Sequence, residues 1–531
     1  MLVVRKRISA GPIAALFAVT TAVAAGAADA PTKIQRYPGP QYEASAQAER
    51  LAQPQPAHFD NPADRLRHWN RVAIDASGLD HTPVQPGENR VFGEQVGPGR
   101  SSRAIAIVHI AIADAVASIR GGFRRYTSVP NAPAHSSIDT AIATAAAETL
   151  AVMFPSQRSR FARLLAEDIL DAPGSIQEKA RGILVGHRAA AAILALRAND
   201  GSAHPESRMD IEYIPGLEPG VWRQDPISHS PVALGHHWGE VRPFVLASPA
   251  QFRVPPFPSL ASPQYATAYN EVKRLGGDGL VTPPERTEDQ THIGIYWAYD
   301  GTPSLCAPPR LYNQITTKLS QNSHNVVELA RLFALVNVAM ADSGIAIWES
   351  KFFYKIWRPV TGIRESDTGT GPTGQGDGND ATAGDPEFSP LGAPASNLTG
   401  PNFTPPFPAY PSGHAGFGGA LFQTLRRFYG TDNIAFTFTS DEFNGETVGN
   451  DGEVRPLIPR SFTTLSQAEE ENGQSRIYLG IHWSFDKTQG IAQGRRVADW
   501  VFSHAFQRIN RAEPYHRRAR VPSPCPPDLS P

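Results

Sequence analysis

Cysteine is almost missing from this 531-residue chain, which carries only Cys306 and Cys525. So few thiols exclude a disulfide scaffold and any cysteine-rich zinc or iron–sulfur centre. One bridge between a loop and the C-terminal tail, or two unpaired thiols, are the alternatives left. Charge is also thin, at 19% of residues against 41% hydrophobic, which excludes a disordered chain and allows a large buried core in two sub-domains or one elaborated one. There is no excess of positive charge, so a general nucleic-acid binder is not indicated. Strand-like alternation is scarce, and no repeat of fixed period occurs. After the first residues, no segment reads as long and apolar enough to span a membrane.

Residues 1–27 read as an export signal: Arg5, Lys6 and Arg7 precede the apolar "IAALFAVTTAVAA", and "AGA" suits a signal peptidase. Its removal takes three cations and moves the formal net charge from −2 to −5. The expected location is secreted or periplasmic. Residues 28–100, rich in Pro, Gln and polar groups, suggest an extended arm with little structure of its own. Helical patterns follow at 101–119, 137–154, 156–170 and 179–198, all apolar at helical spacing. The apolar stretch 325–359 suggests one long buried helix. The expected fold class is all-α: two helical bundles with long irregular loops, an N-terminal one over 101–235 and a C-terminal catalytic one over 236–531. His109 and Asp114 read as structural or surface polar groups, and the neighbours His236 and His237 are a weak metal signal. Residues 365–414 form a loop of turn-forming residues, of a length that is functional or disordered.

Charged residues in apolar surroundings mark three further segments. In "RIYLGIHWSFD", if helical, His482 and Asp486 share a face at i and i+4, and Arg476 precedes them by nearly two turns. A carboxylate so placed sets the imidazole's tautomer and basicity. In "KFFYKIWRP", Lys351 and Arg358 lie about two helical turns apart and point the same way, with Pro359 disturbing the helix beyond. In "PAYPSGHAGFGGALF", a loop feeds a helix N-terminus, where the Ser412 hydroxyl, the Gly413 N–H and the helix dipole face an anion. Singly, these are a satisfied histidine, a basic stripe and an N-cap. Together they supply three cations, neutral donors and two imidazoles, His414 and His482, which suits a tetrahedral oxyanion.

The order K-x6-R-P, P-S-G-H and S-R-x5-H-x3-D resembles the signature of the superfamily that joins type 2 phosphatidic acid phosphatases and bacterial class A acid phosphatases to vanadium-dependent haloperoxidases. The 60 residues between His414 and Ser475 are closer to the haloperoxidases. "TEDQTHIGIYWAYDG", "PPRLYNQI", "LGAPAS" and "PPFPAYPSGHAGFGGALFQ" extend the resemblance to their chloroperoxidase branch. It implies a vanadate cofactor on a core of two helical bundles, bound to vanadium through His482. Lys351, Arg358, Arg476, Ser412 and Gly413 would hold its oxygens, His414 would act as acid–base, and Asp486 would orient His482. The implied reactants are hydrogen peroxide and a halide, with an organic acceptor as a further option. The surplus of cations calls for a carboxylate near Arg476: Asp300 is the first choice, Asp342 the rival. Chloride-oxidising members resemble this chain in an aromatic pair where Trp348 and Phe407 stand, so these are expected to wall the halide pocket. A secreted phosphatase working through a phosphohistidine is the alternative, because its ligand residues are the same.

Overall fold

The computed structural model describes residue 51 and residues 58–509. The expected export signal and Cys525 lie outside the described residues. Cys306 is buried, with its Sγ 2.9 Å from Ser77 Oγ.

The described part of the expected arm contains a buried helix, α1 (Pro62–Asp80), and corrects that reading. Asn61 starts it: its side chain accepts from the Ala63 and Asp64 N–H groups, and Pro62 follows at the first helical position. Leu66, Trp69, Val72, Ala73 and Ala76 form the apolar stripe. Buried charge masked that stripe in the sequence, for the Arg65 guanidinium is inside, met by Asp139, Asp168 and Asp171. Charges are tolerated in a core when paired and hydrogen-bonded.

Four further helices complete the N-terminal half: α2 (Pro98–Arg120), α3 (Ile138–Met153), α4 (Arg158–Asp171) and α5 (Ile176–Arg197). Gly182 and Gly186 let α5 lie against the α3 backbone; a Cβ on Gly186 would come 2.5 Å from the Ala141 carbonyl oxygen. His109 and Asp114 on α2 are internal. The first meets Asn70 at 2.9 Å and stacks on Phe333, and the second accepts from the Tyr126 and Thr127 N–H groups at 2.7 Å.

A long connection follows, with strands β1 (Ser207–Arg208) and β2 (Val232–Ala233) paired antiparallel. Within it His236 meets Ser207 Oγ and His237 meets Glu240. Among the described residues no group of three or more His, Cys, Asp or Glu is arranged to hold a metal ion. The C-terminal half comprises α6 (Pro263–Leu275), α7 (Glu288–Tyr296), α8 (Pro308–Leu319), α9 (Val326–Tyr354), α10 (Pro359–Arg364), α11 (Gly413–Tyr429), the antiparallel hairpin β3 (Phe436–Asn444) and β4 (Leu457–Phe462), α12 (Leu465–Tyr478) and α13 (Ser484–His504). The mainly helical class holds. The apolar core runs through both halves, joining α1, α2 and α3 to α9 and α11.

Two helices correct the expectation about membrane-length segments. By length and composition α2 and α9 could each cross a bilayer, yet their apolar stretches are 94% and 100% buried inside the protein. At 29 residues, about 43 Å long, α9 packs against α1, α2, α8, α11 and α13.

The approach of α11 and α13 positions the site. A Cβ on Gly494 would lie 2.0 Å from the Gly416 oxygen, one on Gly490 2.7 Å from the Ser412 oxygen, and one on Gly419 2.6 Å from the Ile491 oxygen. With no side chain between the backbones, the start of α11 sits against the start of α13, and the Ser412 N–H donates to the Asp486 carbonyl at 3.0 Å. Gly494→Ala is expected to lower stability by about 2–4 kcal/mol, a strongly destabilising single change. Gly186→Ala should have a comparable effect on unfolding. Only the former should also weaken oxyanion binding; thermal unfolding beside calorimetric titration separates the two.

Candidate active site

The cations converge by helix breaks, not by a shared helical face. α9 stops at Tyr354, Lys355 turns left-handed (φ 52°), and Arg358 becomes the residue preceding α10, with Pro359 at that helix's first position. "RIYLGIHWSFD" likewise divides: Arg476 lies in the last turn of α12, Gly480 (φ 70°) breaks the chain, and His482 stands in the link before α13. Both helical readings of these segments are thereby corrected. Glycine and proline chemistry outweighs the apolar spacing.

Asp486 is in the first turn of α13, and its Oδ2 accepts both from the Trp483 N–H (3.0 Å) and from His482 Nδ1 (2.8 Å). With Nδ1 as donor, His482 Nε2 is left as the lone-pair nitrogen, and Arg358 Nη1 donates to it at 2.9 Å. Burial, then Arg358 and Lys351, holds the imidazole's pKa well below its usual value. His482 is therefore a neutral ring with an unprotonated Nε2, the form a metal ligand requires. Burial also pushes the Asp486 carboxyl up to about 7.

Lys351 Nζ donates to the Pro408 and Ala409 carbonyls at 2.7 and 2.9 Å. Arg358 donates to the carbonyls of Phe407, Ile481 and Pro405. Burial, then Arg358, disfavours the charge on Lys351, and burial lowers Arg358 to about 9, still a cation at neutral pH. Asp300 takes Arg476 Nη2 in both carboxylate oxygens, at 2.7 and 2.9 Å, while Asp342 lies elsewhere, accepting from the N–H groups of residues 244–246. Burial pushes the Asp300 carboxyl up, and Arg476 pulls it back. Arg476 Nε and Nη1 are buried without any partner.

Ser412 caps α11, its Oγ 3.4 Å from the Ala415 N–H. The N–H groups of Gly413 and His414 begin the helix, where no intrahelical acceptor exists. His414 Nε2–H donates to the Ala298 carbonyl, which leaves Nδ1 as its basic nitrogen. Burial and Arg476 keep this ring's pKa well below the usual value too. Asp300 Oδ1 is 3.9 Å from it. Trp348 and Phe407 pack with centroids 4.9 Å apart, and Lys351 Nζ lies 5.0 Å from the Phe407 ring. Lys351, Ser412 and Arg476 are wholly buried, whereas His414 and Phe407 keep 6% and 8% exposure.

Several supporting groups escaped the sequence reading. Tyr312 and Asn472 both donate to the His414 carbonyl at 3.0 Å, which pins the first turn of α11. Tyr312 lies in "PPRLYNQI", so its neighbourhood was signalled though its contact was not. Ala298 acts through its carbonyl and Leu234 through its backbone, which no side-chain pattern discloses.

An oxyanion cofactor fits these residues. Unpartnered buried N–H groups on Arg476, two further buried cations and a neutral histidine nitrogen form a donor set short of negative charge.

Comparison with known proteins agrees. The family model described as the VCPO second helical-bundle domain matches residues 331–511. A vanadium chloroperoxidase from Curvularia inaequalis is 32% identical, over 79% of this chain and 78% of its own. The crystal structure of a bacterial vanadium-dependent iodoperoxidase superposes with a TM-score of 0.64 at 21% identity, covering 86% of this chain and 99% of that one. That of a holo-type bacterial vanadium-dependent chloroperoxidase gives 0.57 at 16%, covering 85% and 98%. With the signature residues, this extent of identity and coverage places the chain in the vanadium-dependent haloperoxidase family, on its chloroperoxidase-like branch.

Proposed function

We propose that this protein is an exported haloperoxidase that holds vanadate and uses hydrogen peroxide to oxidise chloride and bromide to hypohalous acid. The observation that carries it is the pair of unpartnered Arg476 N–H groups in the same site as a neutral His482 whose Nε2 is unprotonated. His482 Nε2 would bind the metal, and Lys351, Arg358, Arg476, Ser412 and the Gly413 N–H would hold the oxygens. Bound there, vanadate supplies Lewis-acid activation of peroxide without a change of its oxidation state.

The chain's own residues do the rest. Asp486 keeps the proton of His482 on Nδ1, so Nε2, the nitrogen that would bind the metal, stays unprotonated. His414 Nδ1 takes a proton from entering hydrogen peroxide, and Asp300 stabilises the imidazolium that results. Lys351 polarises the oxidant, and the Trp348–Phe407 wall keeps water away while the cations draw the halide in. The relative named for chloride oxidation and the leader of residues 1–27 support the halide and the export parts of the reading.

His482→Ala is expected to weaken orthovanadate binding by more than about 100-fold, since the direct metal bond is lost. His414→Ala should bind it nearly as wild type and lower turnover by about 10²–10⁴-fold. Equilibrium dialysis beside steady-state rates checks both. Hydrolysis of p-nitrophenyl phosphate by the wild type, with no peroxide-dependent halogenation after orthovanadate loading, would overturn the reading in favour of the phosphatase.

The halide and pH expectations follow from the same pocket. Chloride and bromide should both be oxidised at mildly acidic pH. A base whose pKa is depressed stays unprotonated on acidification, so the His414-dependent limb of kcat/KM should fall only well below pH 6.5. Phe407→His should lower chloride activity more than bromide activity. Rates with each halide across pH measure this, and equal losses would remove the pocket assignment.

A further inference from the structure

The wall beside the anion site is held by the long connection between the two halves. Trp348 Nε1–H donates to the Leu234 carbonyl at 3.0 Å, and the Leu234 N–H donates to the Pro406 carbonyl at 2.9 Å. One residue of the long connection therefore fixes Trp348 on α9 and also the peptide next to Phe407. Gly235 follows with φ 76°, a conformation L side chains resist, and a Cβ there would lie 2.3 Å from Trp348 Nε1 and 2.5 Å from Cδ1. The opposite edge of that indole, Cη2 and Cζ3, is 3.6 Å from where a Cβ on Gly413 would stand. The Gly235 N–H in turn donates to the Glu206 carboxylate, which is paired with Arg100 in the first turn of α2 at 3.1 Å. A cavity of about 10 Å³, enough for one water, is the space left between Trp348, Gly235 and Trp238.

Resting on the haloperoxidase reading for the anion's identity, we infer that Leu234, Gly235 and Glu206 form a positioning strut: they set the Trp348 ring, and through it the shape of the oxyanion cradle at Gly413. The indole lies between Gly235 and the side of Gly413 on which a Cβ would stand, so a displacement at one edge of this rigid ring is carried toward the start of α11. A Cβ at Gly235 would overlap the Nε1–Cδ1 edge, and the space open to the ring lies on its far side, where Gly413 carries no Cβ. Anything added at Gly235 drives it toward Gly413. Interiors packed this tightly pass on strain instead of absorbing it. Gly235 and Glu206 touch neither the anion nor the reacting atoms, and they act through Trp348 alone.

The test is a double-mutant cycle on the full-length apoprotein, titrated calorimetrically with orthovanadate and, separately, with inorganic phosphate. Gly235→Ala should weaken anion binding by about tenfold, within the ordinary range for a single substitution that displaces packed neighbours. It should also lower the chloride-to-bromide ratio of kcat/KM in the loaded enzyme. In a Trp348→Phe background, which lacks the edge facing Gly235, the same change should shift binding by less than about twofold. Glu206→Gln keeps the side chain's shape and should weaken binding about threefold in the wild-type background only. Equal losses in both backgrounds, or wild-type binding by Gly235→Ala, would overturn the strut. Should Gly235→Ala fail to fold, unchanged binding by Glu206→Gln overturns it. A wild type that takes phosphate and not orthovanadate overturns the haloperoxidase reading and leaves the strut to be decided on phosphate. One that takes neither anion overturns both.

Discussion

Lys351, Arg358 and Arg476 are at most 1% exposed, so their charges are almost wholly out of water. A buried ion costs several kcal/mol unless partners replace its hydration. The fold answers with backbone carbonyls at its helix breaks: Pro405, Phe407, Pro408, Ala409 and Ile481 all accept from these cations. Two carboxylates reach the cluster: Asp300 accepts from Arg476, and Asp486 accepts from His482. The remaining deficit of negative charge is what an oxyanion would relieve. Most of the C-terminal half can be understood as holding this deficit open, since each segment that brings a cation also brings the carbonyls that fix its direction.

Keeping the site empty of its own side chains needs close backbones. The glycines of α11 and α13 bring the Ser412 N-terminus against the Asp486 turn, and nothing larger fits between them. Tyr312 and Asn472 then lock the first turn of α11 through one carbonyl. The N-terminal half contributes rigidity of another kind. Asp342 on α9 ties the connection at residues 244–246, and Leu234 ties it again at Trp348. A site this short of counter-charge would otherwise close on itself or admit water, and packing from both halves opposes each.

Helix content, the long buried α9 and the N-terminus at Ser412 were legible because they depend on local spacing and capping. The buried α1 was not, since Arg65 and its acid partners interrupt the apolar pattern and are distant from one another in sequence. The membrane-length character of α2 and α9 was likewise decided by what packs around them. Nor could spacing alone show that Arg476 and His482 lie on opposite sides of a chain break: Gly480 permits that turn, and contacts from elsewhere impose it.

By itself the sequence determined which ionisable side chains could meet an oxyanion, because K-x6-R-P, P-S-G-H and S-R-x5-H-x3-D carry the donors in chemically distinctive groups. It also determined that Asp486 would sit one turn from His482, a local relation that survives the break before α13. Only the tertiary structure decided that Asp300 and not Asp342 faces Arg476, that both histidines are held neutral, and that a connecting segment braces Trp348. Those depend on burial and on backbone groups brought together from remote parts of the chain, and neither has a signature in residue type.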